Sequence, residues 1–139
     1  MARRRGPRRL QLGPIVGHTD DTSTRIWIQV SDDPKRYGLR VEGVGLFPFE
    51  STEFNAVEFG TAIANITGLQ PDIRYRYRVV RAGRFVKGAS GSVRTLPPPA
   101  SMTNLLFCAI SCNGAEQDGA WRQFSEFVER SQPSFIVMM

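Results

Sequence analysis

From residue 11 to residue 96, apolar side chains recur at every second position, the period of a strand with one buried face. In Thr24–Val30, Ile26, Ile28 and Val30 fall on one side, with Arg25, Trp27 and Gln29 on the other. Leu39 and Val41 alternate in the same way within Tyr37–Val44, and Val57–Phe59 fits a further short strand. Ala62, Ala64 and Ile66 alternate toward a tight turn at Thr67-Gly68. The clearest strand is Ile73–Val79, where Ile73, Tyr75, Tyr77 and Val79 interleave with Arg74, Arg76 and Arg78. A last strand is expected around Gly91–Thr95. Short strands separated by Gly, Pro and Asp at intervals of roughly 8–12 residues predict an antiparallel sandwich or barrel. Trp27 lies opposite Ile26 and Ile28 in this alternation. It needs either cover on the outer face or a bulge that turns it inward.

One local motif selects the sandwich. Gly68-Leu69-Gln70-Pro71-Asp72-Ile73-Arg74-Tyr75 has the form G-L-x-P-x-x-x-Y. Leu69 would enter the core, Pro71 turn the chain, and the Tyr75 hydroxyl bond back to backbone a few residues upstream. This is the arrangement of a tyrosine corner. The segment resembles the corresponding corner of fibronectin type III domains, and residues 11–96 are therefore expected to form a type III-like β-sandwich.

Beyond residue 96 the pattern changes. Residues 97–102 include three successive prolines, a stiff spacer that cannot continue a central strand. Asn104–Ser111 is then a continuous apolar run, the signature of a strand covered on both faces. Trp121, Phe124, Phe127 and Val128 recur at helical spacing, with Asp118 placed to begin the helix and Pro133 to end it. A second apolar run, Ser134–Met139, follows. Strand, helix and strand predict a βαβ unit of a parallel sheet. Such a unit needs sheet neighbours and helices on both faces, so residues 103–139 are expected to be the truncated start of an α/β domain.

Composition adds two restrictions. A hydrophobic content of 41% and a charged content of 22% describe a globular chain, and no run approaches the roughly 18 apolar residues of a membrane span. The formal charge is +5, but five arginines (Arg3, Arg4, Arg5, Arg8, Arg9) lie in the first ten residues. Without them 13 basic residues face 13 acidic ones. Residues 1–10 are accordingly expected to be a disordered basic tail, and neither a nucleic acid nor a membrane is expected as partner. The arginines are not followed by the apolar stretch that an export signal requires, which makes the cytoplasm the default expectation.

In open α/β sheets, sites form outside the carboxyl ends of the strands. Ser111-Cys112-Asn113-Gly114 occupies that position for the first strand, which makes Cys112 a candidate metal ligand or nucleophile, with a buried structural thiol as the alternative. Cys108, in mid-strand, is expected to be structural. With about 3.3 Å per residue the two cysteines lie roughly 13 Å apart on an extended strand, beyond the roughly 7 Å a disulfide tolerates. His18, the single histidine, is expected at the surface. Arg74, Arg76 and Arg78 are expected to be a solvated sheet face, with attraction of phosphorylated substrates as the alternative. Asn65-Ile66-Thr67 matches a glycosylation sequon.

Several segments together resemble the PhoD-like (alkaline phosphatase D) metallophosphatases. They are Leu12–Ile28 (LGPIVGHTDDTSTRIWI), the G-L-x-P-x-x-x-Y corner, the Gly91–Leu96 exit strand, the strand ending in Ser111-Cys112, and the helix leading from Trp121 to Pro133–Val137. The resemblance implies a type III-like domain followed by a metallophosphoesterase domain that hydrolyses phosphate mono- or diesters at an iron–calcium centre. It implies that Cys112 ligates iron. The remaining ligands of that family have no counterpart in these 139 residues, so the chain alone is expected to be inactive and to hold neither metal tightly. It is expected to be monomeric or, through its exposed apolar strands, aggregation-prone. The competing expectation is a non-enzymatic type III-like binding module.

Overall fold

The computed structural model describes residues 10–52, 60–101, 104–111 and 118–138. The expected basic tail, apart from its last residue, and the expected strand at Val57–Phe59 lie outside them. The chain divides into two compact units, Met1–Pro99 and Ala100–Met139.

The described residues of the first unit form eight strands: β1 (Leu10–Thr19), β2 (Thr24–Val30), β3 (Tyr37–Val41), β4 (Gly45–Pro48), β5 (Glu50–Ser51), β6 (Gly60–Ile66), β7 (Arg74–Arg81) and β8 (Arg84–Arg94). They form two four-stranded antiparallel sheets, one in the order β1-β2-β6-β5 and the other β4-β3-β7-β8. The alternating residues meet between them. Ile26, Ile28 and Val30 of β2 and Ala62, Ala64 and Ile66 of β6 come from the first sheet. Tyr37, Leu39 and Val41 of β3, Tyr77 and Val79 of β7 and Val93 of β8 come from the second, and all belong to one core with Phe49 and Leu69. The fold is a mainly β, antiparallel sandwich, as the period-2 pattern predicts.

Trp27 keeps the strand alternation. It pairs with Ile15 of β1 and Ile63 of β6 on the outer face of the first sheet, where it is half-buried. The irregularity falls on its partner strand instead. The register of β1 against β2 shifts at several points, and Gly13 sits at φ +95°. A Cβ there would come 2.8 Å from the Trp27 carbonyl oxygen, so no larger residue fits this approach. The second sheet differs from expectation in its turns. Tyr37–Val44 is not one strand: β3 ends at Val41, and a turn through Gly43 at φ +73° leads on to β4 at Gly45.

The corner segment ties the two sheets. The Gln70 amide donates to the Tyr75 hydroxyl oxygen (2.8 Å), closing the loop as the motif predicts. Thr95, almost fully buried, completes it. Its hydroxyl donates to the Gln70 carbonyl (2.6 Å) and accepts from the Ile73 amide (3.0 Å). Leu69 donates to the Thr22 carbonyl (2.9 Å) and Leu96 to the Asp20 carbonyl (3.0 Å), which joins the corner to the β1–β2 turn of the other sheet. Asp72, at φ 58°, receives Arg94 through both Nε (2.9 Å) and Nη2 (2.8 Å).

The second unit is a βαβ element: β9 (Phe107–Ile110), α1 (Asp118–Ser131) and β10 (Phe135–Met138). The two strands pair in parallel from Phe107↔Phe135 to Ile110↔Met138, and the Phe107 and Phe135 rings stack at 5.3 Å. Trp121 meets Phe124 edge to face at 6.1 Å. The apolar run Asn104–Ser111 predicts a strand buried on both faces. The observed strand is shorter, and Leu105, Leu106 and Phe107 remain about half exposed. One helix and one neighbouring strand do not supply enough surface to cover both faces.

Replacing Thr95 with Val removes a buried hydroxyl while keeping the shape of the side chain. It is expected to destabilise the sandwich by about 1–3 kcal/mol, because the Ile73 amide and Gln70 carbonyl are left unpaired. Tyr75→Phe should cost less, about 1 kcal/mol, since the Gln70 amide it frees is accessible to water. Urea unfolding checks the order of the two effects; a Thr95→Val variant as stable as the parent would contradict this account of the corner.

Candidate functional site

The βαβ element brings the carboxyl ends of β9 and β10 to the same side of a parallel pair, the position at which α/β sheets hold their sites. Ser111, directly after β9, is exposed there. Cys112, the candidate metal ligand, lies outside the described residues, as do Asn113 and Gly114. Cys108 is a half-buried free thiol in the middle of β9, opposite Ile136 of β10. Among the described residues, no three of His, Cys, Asp and Glu lie close enough together to hold a metal ion.

A polar cluster that the sequence pattern does not announce lies in the sandwich, where the loop after β2 meets the end of β7. Asp32 precedes a single turn of 3-10 helix, Pro34–Arg36, whose Lys35 amide is capped by Asp33 (3.0 Å). The Asp32 carboxylate accepts from the Tyr37 hydroxyl (2.6 Å) and from Arg81 through both Nε (3.0 Å) and Nη2. Arg36 lies 3.9 Å from the same carboxylate, and the Arg81 guanidinium rests 5.8 Å from the centre of the Tyr37 ring. Burial opposes ionisation of Asp32. The Tyr37 hydroxyl, the Arg81 hydrogen bonds and the nearby positive charges outweigh it and hold the carboxyl below its ordinary value. Burial, then the hydrogen bond to Asp32 and its charge, push the Tyr37 phenol up to about 12. Such a carboxylate is a fixed acceptor rather than an acid or base at neutral pH. The cluster is a clamp, and its chemistry is structural. Asp32 and Arg81 are 49 residues apart, so only the fold could join them.

The other candidates are surface features. His18 is exposed on β1, with Nε2 3.9 Å from Asp20. Asp20 is engaged within its own turn, accepting from the Ser23 hydroxyl (2.7 Å) and from the Thr22 (2.8 Å) and Ser23 (2.6 Å) amides. The Ser23 hydroxyl bond first, then the Thr22 amide, lower its pKa. Arg74, Arg76 and Arg78 occupy the outer face of β7, and Asn65 is exposed on β6. No helix among the described residues is long and apolar enough to cross a membrane.

The architecture is thus an antiparallel β-sandwich followed in sequence by a parallel βαβ element. The chain belongs to the family described as a domain of unknown function, DUF7800, whose model matches residues 7–99. No curated protein matches the sequence. Among solved structures it is similar to one described as the structure of PhoD, with a TM-score of 0.61 and 15% identity. That match covers 89% of this chain and 26% of the other, so the chain spans about a quarter of that protein's length. At this identity the likeness is one of fold.

The clamp gives stability a definite pH dependence. Asp32, with its folded pKa depressed below 3.8, contributes stability present above that value and lost as pH falls through the folded value. Tyr37, raised from 10.0 to about 12, contributes stability present below pH 10 and lost as pH climbs toward 12. Urea midpoints measured across pH should show a neutral plateau with both flanks. Asp32→Asn should lose about 1–3 kcal/mol at pH 7 and flatten both flanks. An unchanged profile in that variant would show that the clamp contributes nothing to the fold.

Proposed function

We propose that this chain is the amino-terminal portion of a metal-dependent phosphoesterase of the PhoD-like kind, comprising its sandwich domain and the opening of its catalytic α/β domain. One observation carries the reading: the similarity to PhoD extends across 89% of this chain. It therefore runs through the sandwich and into the βαβ element, and does not stop at the boundary of the family match at residue 99. The sequence resemblance in the Leu12–Ile28 segment, the tyrosine corner and the strand ending in Ser111-Cys112 supports the same assignment.

In this reading the whole enzyme hydrolyses phosphate mono- or diesters, and Cys112, after the carboxyl end of β9, is one iron ligand. A thiolate suits iron. A single ligand does not hold a metal, and the described residues contain no cluster of three candidate ligands. The remaining ligands for iron and calcium belong, in this proposal, to chain beyond these 139 residues. The incompletely covered side chains of the second unit, among them Leu105, Phe107, Trp121, Phe127 and Ile136, are then the surface that further strands and helices bury.

The 139-residue chain, assayed with p-nitrophenyl phosphate and bis-p-nitrophenyl phosphate in the presence of iron and calcium, is expected to give no turnover above the metal blank. The same chain extended by its native downstream reading frame should hydrolyse at least one of them, and Cys112→Ser should lower that rate by at least about a hundredfold, the scale expected on loss of a metal-site residue. Metal-dependent turnover by the 139-residue chain, or an extended protein without phosphoesterase activity, would overturn the assignment. The second outcome would favour the reading of the sandwich as a non-enzymatic binding module.

A further inference from the structure

Outside the first ten residues the charges of the chain balance, and this conceals how unevenly the fold distributes them. On β2 and β6 of the first sheet the outward positions hold one charged residue, Arg25, beside Trp27, Gln29, Thr61, Ile63 and Asn65. The outer face of the second sheet is different. Arg74, Arg76 and Arg78 project from β7, Arg40 from β3 and Arg94 from β8, and all five are exposed. Arg40 is directly opposite Arg78, and Arg74 is directly opposite Arg94. Like charges in directly opposed cross-strand positions destabilise a sheet. Arg94 is relieved by a paired carboxylate, Asp72, on its own face. Arg78 lies 5.2 Å from the centre of the Phe85 ring, and that ring is 60% exposed. Nothing in the packing of the core requires arginine at these positions, since each points away from it.

We infer that this face is a docking surface for single-stranded nucleic acid. The charge sign selects an anion, and arginine rather than lysine selects phosphate or carboxylate gripped by a planar fork. The row Arg74, Arg76, Arg78 repeats about every 6.7 Å along one strand, as alternate residues of a strand do. It therefore meets an extended chain of phosphates and not a single anion. The exposed ring of Phe85, already bearing a guanidinium, offers the stacking platform that single-stranded binding surfaces combine with positive charge. A duplex fits less well. Four strands at roughly 4.8 Å spacing make a face about 14 Å wide or more, broader than the ~12 Å major groove. The inference stands on the sandwich alone and does not depend on the phosphoesterase reading.

Fluorescence anisotropy with a labelled 12-nucleotide single strand tests it, using the full chain with Arg3, Arg4, Arg5, Arg8 and Arg9 replaced by Gln so that the tail does not contribute. In this background R40Q/R76Q/R78Q is expected to weaken binding at least tenfold at low salt. Its log–log salt slope should fall by about 2, the release expected for three single-strand phosphate contacts. The middle substitution alone, R76Q, should lower the slope by about 0.7, and F85S should weaken binding at least fivefold without changing it. Thermal melting of R40Q/R76Q/R78Q should give a midpoint equal to or above that of the parent, because the opposed charge of Arg40 and Arg78 is removed. Undiminished binding by R40Q/R76Q/R78Q would overturn the proposal. So would a lowered melting midpoint, which would make the arginines structural. Equal affinity for a poly-glutamate peptide or for duplex DNA of the same length would also overturn it, leaving only unspecific attraction of charge.

Discussion

The Thr95 hydroxyl sits where three segments of chain must agree. It donates to the carbonyl of Gln70 on one side and accepts from the amide of Ile73 on the other, while its own strand runs out of the second sheet. A hydroxyl buried at this depth is tolerable only because both of its partners are held in place. The Tyr75 hydroxyl holds the Gln70 amide, and Leu69 and Leu96 reach across to the turn between β1 and β2. The relative position of the two sheets at this end of the sandwich follows from that set of bonds. The other end of β7 is fixed independently, by Arg81 in the Asp32 clamp. Between the two anchors β7 presents Tyr77 and Val79 to the core and a row of arginines to solvent.

This division of labour leaves the outward positions of the second sheet outside the core. The core is satisfied by one face of each strand, and the corners are satisfied by Thr95, Tyr75, Asp32 and Tyr37. Of the five exposed arginines on that sheet's outer face, Arg40 and Arg78 are directly opposed, and Arg94, opposite Arg74, is drawn to Asp72 of the corner. The second unit shows the opposite imbalance. Its strands are apolar enough for a fully covered sheet, yet none of its described hydrophobic residues is buried.

Much of the sandwich was legible because its physics is local. Alternation alone places Ile26, Ile28, Val30, Leu39, Val41, Ala62, Ala64 and Ile66 in the core, and a Pro and a Tyr four residues apart announce the corner. β1 was not legible: Gly13 and the shifts of register it accommodates break the alternation in Leu10–Thr19, and its large side chains, Leu12, Ile15 and Val16, stay partly exposed at the sheet edge. The Asp32–Arg81 clamp was hidden for another reason, since it joins residues that are neighbours only after folding. Thr95 carries no sequence signal beyond its place at the end of a strand. Of the candidate site, Cys112 is read only from its position after an apolar strand, and it lies outside the described residues. The segregation of charge was invisible in totals and appears only when cross-strand register sets Arg40 beside Arg78.

The sandwich carries a cooperative core of its own, whereas none of the described hydrophobic residues of the βαβ element is buried. Native-state amide exchange on the monomeric chain distinguishes the two units. The account predicts that the amides of Ile26, Ile28, Leu39 and Val79 exchange only through global unfolding. The Ile73 amide, bonded to Thr95, should join them, while residues 104–111 and 118–138 exchange through low-energy local opening. Equal protection in β9, α1 and β10 would contradict it.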